Sequence, residues 1–347
     1  MSHRLPSRTA SVVALFVAAT AVVLVLPAFV SEFRAQQFAY VGIYLIALVG
    51  LNILTGYTGQ ISLGHGAFMA VGAYTTAILI SDQGLRIGGH TFANDLKDVW
   101  TIPLAALVAG IAGFLFGVPA LRLSGLYLAL ATFAIAVSAP AVFKKFETFT
   151  GGGTGINLFG IKGLTGSISG VHVFGHKLAF YDWLYYLSWT IALVLLAAAW
   201  LLLRGRIGRA FRAVRDSESA AASSGVSLAT YKTLAFAISA AYAGVAGALY
   251  AIANTYVNPD TFPITLSIFL LVGLVVGGLG TLSGLIVGAV LVQFLPLWSQ
   301  EVSKSPGAPA VVYGVILIAI MLALPGGVAG LLRRVLPLAR RLYTRPR

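Results

Sequence analysis

Residues 35–81 read AQQFAYVGIYLIALVGLNILTGYTGQISLGHGAFMAVGAYTTAILIS, 47 consecutive positions without an Asp, Glu, Lys or Arg. A charge inside hydrocarbon is costly, so charge-free runs are a natural ruler for membrane crossings, and one helical crossing needs about 20 apolar residues. The run is too long for one crossing. It is broken by Gly56, Tyr57, Thr58, Gly59 and Gln60, a cluster of helix-ending residues. Two spans joined by a turn are expected.

The rest of the chain obeys the same ruler. Of 347 residues, 59% are hydrophobic and 10% charged, and the mean hydropathy is +0.92. An ordinary soluble domain carries about 25% charged residues, and a disordered chain pairs low hydrophobicity with high charge, so both classes are excluded. Further charge-free runs cover 9–31, 99–121, 123–143, 183–203, 233–259, 261–300 and 305–332. The run 261–300 is broken at Gly277 to Gly284, giving two short spans, one of which is open to being re-entrant. The first run, Ala10 to Val30, is longer than a signal-peptide core and lacks a small-x-small cleavage site, so it is read as a span. The expected fold class is all-α: a polytopic integral membrane protein of about ten transmembrane helices, one domain over residues 1–347. An even count puts both termini on one side.

The net charge of +13 resembles a nucleic-acid signature until its position is considered. With the N-terminus in the cytoplasm, the inner segments (around 1–9, 55–60, 122, 204–232, 278–283 and 333–347) hold 15 of the 23 basic residues and only two acids, Asp216 and Glu218. The outer segments are then neutral. The excess is an orientation signal, and no nucleic-acid partner is implied. There is no cysteine, hence no disulfide framework, thiolate metal site or cysteine nucleophile.

Three extramembrane segments stand out. The first, 82–98, is a small outer excursion. The second, about 144–182, lies outside, contains Thr150-Gly-Gly-Gly-Thr-Gly155 and has room for a short hairpin or lateral helix. The third, about 204–232, lies inside. In it, helix formers run from about 209 to 224, Gly225 ends them, and Ser227 is an N-cap for the next span. Arg212, Arg215 and Glu218 recur every third residue, beside the small residues Ala220, Ala221 and Ala222. A basic helix at a membrane surface is most simply a contact with anionic lipid. A lipid-lying helix wants bulky apolar anchors, however, and this one offers mainly alanine and serine after Phe211. Its small-residue face suits insertion into a groove on another protein.

Polar side chains inside the spans are few. Asn52, Tyr57, Thr58, Gln60, Ser62 and His65 gather where the second span meets the third, in a glycine-rich turn. Irregular backbone at membrane depth must be buried in protein or line a wet cavity. Asn52, Tyr57, Thr58, Gln60 and His65 are therefore candidates for a translocation path. The alternative for His65 is a neutral ring bonded to a neighbouring helix, and Tyr127 and Thr132 carry the same ambiguity. Glycines four apart (Gly113/Gly117, Gly273/Gly277, Gly280/Gly284/Gly288) let helices approach closely, within one subunit or between two. Pro103, Pro119, Pro140, Pro296 and Pro325 are candidate kinks.

The segment Arg212-Ala-Val-Arg-Asp-Ser-Glu218-Ser-Ala-Ala-Ala-Ser-Ser-Gly225 resembles the coupling-loop motif of ABC importer permeases, E-A-A followed three residues on by G. The closer resemblance is to the branched-chain amino acid permeases, LivM-type branch. Four more stretches carry it: Leu51 to Phe68, Ser124 to Thr132, Thr150 to Ile156 and Gly277 to Gly284. They span about residues 50 to 290. One departure is Ser219 at the second position of the E-A-A triplet.

The resemblance implies a permease subunit in the bacterial inner membrane. Its partners would be a homologous permease, two cytoplasmic ATPases and an extracytoplasmic substrate-binding protein. Arg212, Arg215, Glu218, Ala220, Ala221 and Gly225 would form the ATPase-coupling loop. Leucine, isoleucine and valine are the implied cargo; urea and short amides are the alternative. The chain has no G-x-x-x-x-G-K-[ST] sequence, so ATP and magnesium would belong to the partners, with no cofactor in this chain and no enzymatic activity of its own. A secondary transporter normally carries an acid near the bilayer midplane, and none of the ten acids falls within an expected span. One isolated histidine is too little for an intramembrane enzyme.

Overall fold

The computed structural model describes residues 31–81, 85–87, 90–92, 96–123, 125–161, 171–173 and 176–302, with isolated positions elsewhere. The expected first span, Ala10 to Val30, and most of the expected last one, 305–332, lie outside the described residues, as do the basic termini.

The described chain is mostly helical. Helix α1 (Glu32–Leu51) runs into a π-helical segment (Asn52–Tyr57), and α2 (His65–Ile80) follows the break. Helices α3 (Asp98–Ala120), α4 (Leu126–Lys145), the single turn α5 (Glu147–Thr150) and α6 (Phe180–Arg204) come next. Two short helices, α7 (Arg206–Asp216) and α8 (Glu218–Ser223), precede α9 (Leu228–Asn254), α10 (Ile264–Gly277) and α11 (Leu285–Val302). Six helical stretches among the described residues are long and apolar enough to cross a membrane: Glu32–Tyr57, Asp98–Ala120, Leu126–Lys145, Phe180–Arg204, Leu228–Asn254 and Pro259–Gly277. Two apolar helices are shorter, His65–Ile80 and Leu285–Glu301. At 1.5 Å per residue α2 reaches only about 24 Å, less than the hydrocarbon thickness of about 30 Å.

Both expected breaks occur. One follows the π-helical segment, and the other separates α10 from α11 after Gly277. Helices α1 and α9 form the buried centre: α9 packs on α3, α2 and α1, while α1 also packs on α6 and α11. Small residues make this possible. A Cβ on Gly72 would collide with the backbone of Gly244, and one on Gly247 with the backbone of Met69, so α2 and α9 touch main chain to main chain. The four-residue glycine spacings serve the same end. Gly113 and Gly117 face Ala240, Phe236 and Thr233 of α9, and Gly273 lies on Gly288. Packing within the subunit accounts for them. Exposed apolar side chains instead crowd α3 and α4, with Leu107, Leu115, Leu126 and Tyr127 among the most exposed.

Extramembrane chain is not purely helical. Among the described residues three antiparallel strand pairs occur: β1 (Leu85–Ile87) with β2 (His90–Phe92), β3 (Ile156–Asn157) with β6 (Tyr256–Val257), and β4 (Val171–Val173) with β5 (His176–Leu178). The last is the hairpin for which the second outer segment had room. Gly155, at φ +69°, lies against Asn258, where a Cβ would stand 2.8 Å from the Asn258 Cβ. Lys144 binds Asp260 at 2.8 Å. The glycine run 151–155 thus anchors the loop that follows α5 to the chain after α9. These contacts gather 150–157 and 256–260 at one end of the bundle, whereas the turns at 56–60 and 278–281 meet the 204–232 loop at the other.

One expectation needs correction. The single helix over 209–224 is two helices. Ser217 is extended (φ −162°, ψ 117°) and its Oγ accepts the Ala220 N–H at 3.3 Å. A serine that caps a new helix ends the old one, because its backbone leaves the helical region. Gly225 does close the second helix. It sits at φ +83°, its N–H donates to the Ala222 carbonyl, and the Val226 N–H donates to Ala221, a Schellman closure. Ser227 caps α9 through the Thr230 N–H.

Candidate functional site

The first cluster forms where α1 loses regular geometry. A π-helix widens the turn and leaves backbone groups looking for partners. The Asn52 side chain is fully buried and reaches the other broken region: its Nδ2 donates to the Thr281 carbonyl at 2.8 Å, and its Oδ1 accepts the Gly280 N–H at 2.9 Å. One amide therefore satisfies both a donor and an acceptor of the α10–α11 turn. Nothing larger than glycine fits at 56, where a Cβ would lie 2.6 Å from the Gly280 nitrogen.

Arg215, near the C-terminus of α7, joins this cluster from the loop. Its Nη1 donates to the Gly56 carbonyl. A cation at the last carbonyls of a helix is favoured by the backbone dipoles, by about 0.3–1 kcal/mol at an exposed site. The Arg215 stem passes over Gly59 (φ +74°), where a Cβ would stand 3.3 Å from Cγ, and its guanidinium lies against Gly280 (φ +70°). Arg212 goes elsewhere. Its Nη1 donates to the Leu203 carbonyl at 3.1 Å and caps α6.

Glu218 opens α8 and binds Lys232 of α9 at 2.7 Å. The Lys232 side chain is 7% exposed and that of Glu218 48%. Of the three alanines, Ala221 is buried, while Ala220 and Ala222 are exposed with Ser219 and Gly225. The exposed small face of α8 therefore excludes Ala221.

The remaining path candidates divide. Thr58 Oγ1 donates to the Leu54 carbonyl and accepts from Gln60 Nε2 at 3.3 Å, while the Gln60 N–H also returns to Leu54 at 3.1 Å. Thr58 and Gln60 thus tie up loose backbone after the π-helical turn. Tyr57 is half-buried beside them. Further along, the Leu63 N–H donates to Thr132 Oγ1 and the Gly66 N–H to Ser267 Oγ, each at 2.9 Å, which seats the entry to α2 against α4 and α10. His65 begins α2, is buried, and meets the Ala47 backbone. Its Nε2 has no hydrogen-bond partner among the described residues. The five candidates therefore form two groups, one at Asn52 and the α10–α11 turn, one at the mouth of α2.

Sequence reading passed over the partners. Ser267 and Lys232 received no role, Gly280 and Thr281 were read only as part of a packing spacing and a family-like stretch, and Thr132 Oγ1 accepts the Leu63 N–H. The available signal was the pairing of two glycine-broken apolar runs, which in transporters marks the working centre. No group of His, Cys, Asp or Glu among the described residues is arranged to hold a metal.

Comparison with known proteins decides the family. The model of the branched-chain amino acid transport system permease component matches residues 33–324. The chain belongs to that family. It is similar to the high-affinity branched-chain amino acid transport system permease protein LivM of Salmonella typhimurium, 37% identical over 267 residues, and to LivM of Escherichia coli, 36% identical over 264. Each alignment covers 72% of this chain and 59% of the relative, so the chain spans a little over half the length of the LivM proteins it matches. The LivH permease of Escherichia coli is 23% identical over 298 residues, covering 83% of this chain and 91% of the relative. No solved structure matches. This member of the permease family is a multi-pass membrane protein, and its relatives are transport subunits rather than enzymes.

Proposed function

We propose that the chain is the membrane subunit of an ABC importer for branched-chain amino acids in a bacterial inner membrane. The carrying observation is the bond from Arg215 to Gly56: the loop that resembles a coupling motif is tied to the broken backbone of the membrane bundle. Two cytoplasmic ATPases hold ATP and magnesium and dock on α7 and α8. A homologous permease completes the pathway, and a soluble binding protein delivers cargo to the outer end. Selectivity resides largely in that binding protein, and the apolar, acid-poor bundle passes zwitterions with apolar side chains. Leucine, isoleucine and valine fit that chemistry, as do the names of the relatives.

The test is uptake of labelled leucine by vesicles holding this chain, its partner permease and the ATPases, with loaded binding protein outside. Uptake that requires internal ATP supports the reading. Uphill uptake by this chain without any nucleotide-hydrolysing companion overturns it.

A further inference from the structure

Three separate pieces of chain converge at the inner end of the bundle: the π-helical end of α1, the turn between α10 and α11, and α7. Two of them have irregular backbone, and one side chain links them: Asn52, in the π-helical segment, pairs the Gly280 N–H and the Thr281 carbonyl of the turn. The third arrives through one cation, Arg215. Three glycines shape the joint. Gly56 leaves room for Asn52 against Gly280, while Gly59 and Gly280 let the Arg215 stem and head lie on bare backbone. By contrast α8, beyond the Ser217 break, is tied to α9 through Glu218 and Lys232. The loop thus has two arms with different attachments.

We propose that Arg215 and Asn52 are positioning residues that make the end of α1 and the α10–α11 turn one moving part, driven through α7. This rests on the reading that ATPases act on the loop. The hydrogen bonds supply the reason. If α7 shifts, Arg215 carries the Gly56 carbonyl with it, and the same turn carries Asn52, whose paired bonds carry Gly280 and Thr281. A π-helical turn suits this role, because it holds one surplus residue whose hydrogen bonding can shift along the helix. Irregular backbone in a membrane persists only while its polar groups stay paired, so the turn follows its partners rather than separating from them.

The chain contains no cysteine, which allows single-cysteine reporters. Two exposed positions serve: Ser283→Cys beside the α10–α11 turn and Ala222→Cys on α8. The measurement is maleimide labelling rate in the reconstituted full complex, with and without ATP and vanadate. In the parent both reporters change rate on nucleotide trapping, by at least about threefold. In Arg215→Gln the α8 reporter still responds and the Ser283→Cys reporter does not, with leucine uptake at least tenfold down while the ATPases still co-purify. Asn52→Ala severs the joint from the other side and gives the same split; it replaces Arg215→Gln if that variant does not accumulate. Full response of both reporters in the variants overturns the joint. So does loss of both, which makes Arg215 a docking residue. Absence of any response in the parent instead overturns the ATP-driven reading of the loop.

Discussion

The Nη1 atom of Arg215 donates a hydrogen bond to the carbonyl oxygen of Gly56, 159 positions earlier in the chain. The bond closes the end of a π-helical turn inside the bundle with a cation carried by a surface loop. Its neighbours define what each remaining contact is worth.

Glu218 and Lys232 provide the clearest energetic test. Glu218→Ala leaves an ammonium whose side chain is 7% exposed without its 2.7 Å partner, and losing a hydrogen bond to a buried charge costs about 1–3 kcal/mol. Thermal unfolding in detergent should show a fall of a few degrees. The double variant Glu218→Ala with Lys232→Met recovers most of it, since no buried charge remains.

Thr132 holds the entry to α2. Thr132→Val keeps the shape and removes the acceptor of the half-buried Leu63 N–H, at a cost of about 0.5–1.5 kcal/mol. Thr132→Ser keeps the oxygen and should unfold within about 1 °C of the parent. Equal stability of the valine and serine variants would remove Thr132 from this role.

His65 behaves differently, because its Nε2 has no partner among the described residues. His65→Leu keeps the bulk and removes an unpaired buried polar atom along with the bond to the Ala47 backbone, two effects of opposite sign, so the variant is expected to accumulate near the parent level. An altered leucine uptake rate at that level places the ring on the path. An unchanged rate makes it packing alone.

Gly225 tests the closure of α8. A side chain at this position meets nothing within 4 Å, yet φ is +83°, so the penalty is backbone strain of about 1 kcal/mol. Gly225→Val should insert normally and lower ATPase co-purification several-fold; Gly225→Asn, which tolerates the left-handed region, should retain more. A valine variant that recruits ATPases like the parent would detach α8 from docking.

Much of this was legible beforehand, and the reasons are local. The breaks at Gly56–Gln60 and after Gly277, the cap at Ser227 and the closure at Gly225 depend on residues within a few positions of each other, so composition reveals them. Ser217 is local too: a serine followed by an acid, a second serine and three alanines is a helix start, and it divides the loop into two arms. Asn52 and Arg215 were recognised as polar residues in telling places, without their partners. The glycine spacings announced close approach and left open whether the neighbour was this subunit or another.

What the sequence alone determined is therefore whatever solvent and nearest neighbours dictate. Hydrocarbon excludes charge at every point along a span, so the spacing of charges marks the long apolar helices. Tertiary structure alone decided that Asn52 meets Gly280 and Thr281 across 228 and 229 positions, that Gly72 lies on Gly244, and that Arg215 reaches the Gly56 carbonyl while Arg212 caps α6 at Leu203. A hydrogen bond tolerates only a few tenths of an ångström. Which distant polar groups come within that range depends on how the packed helices are placed, and no local pattern carries that information.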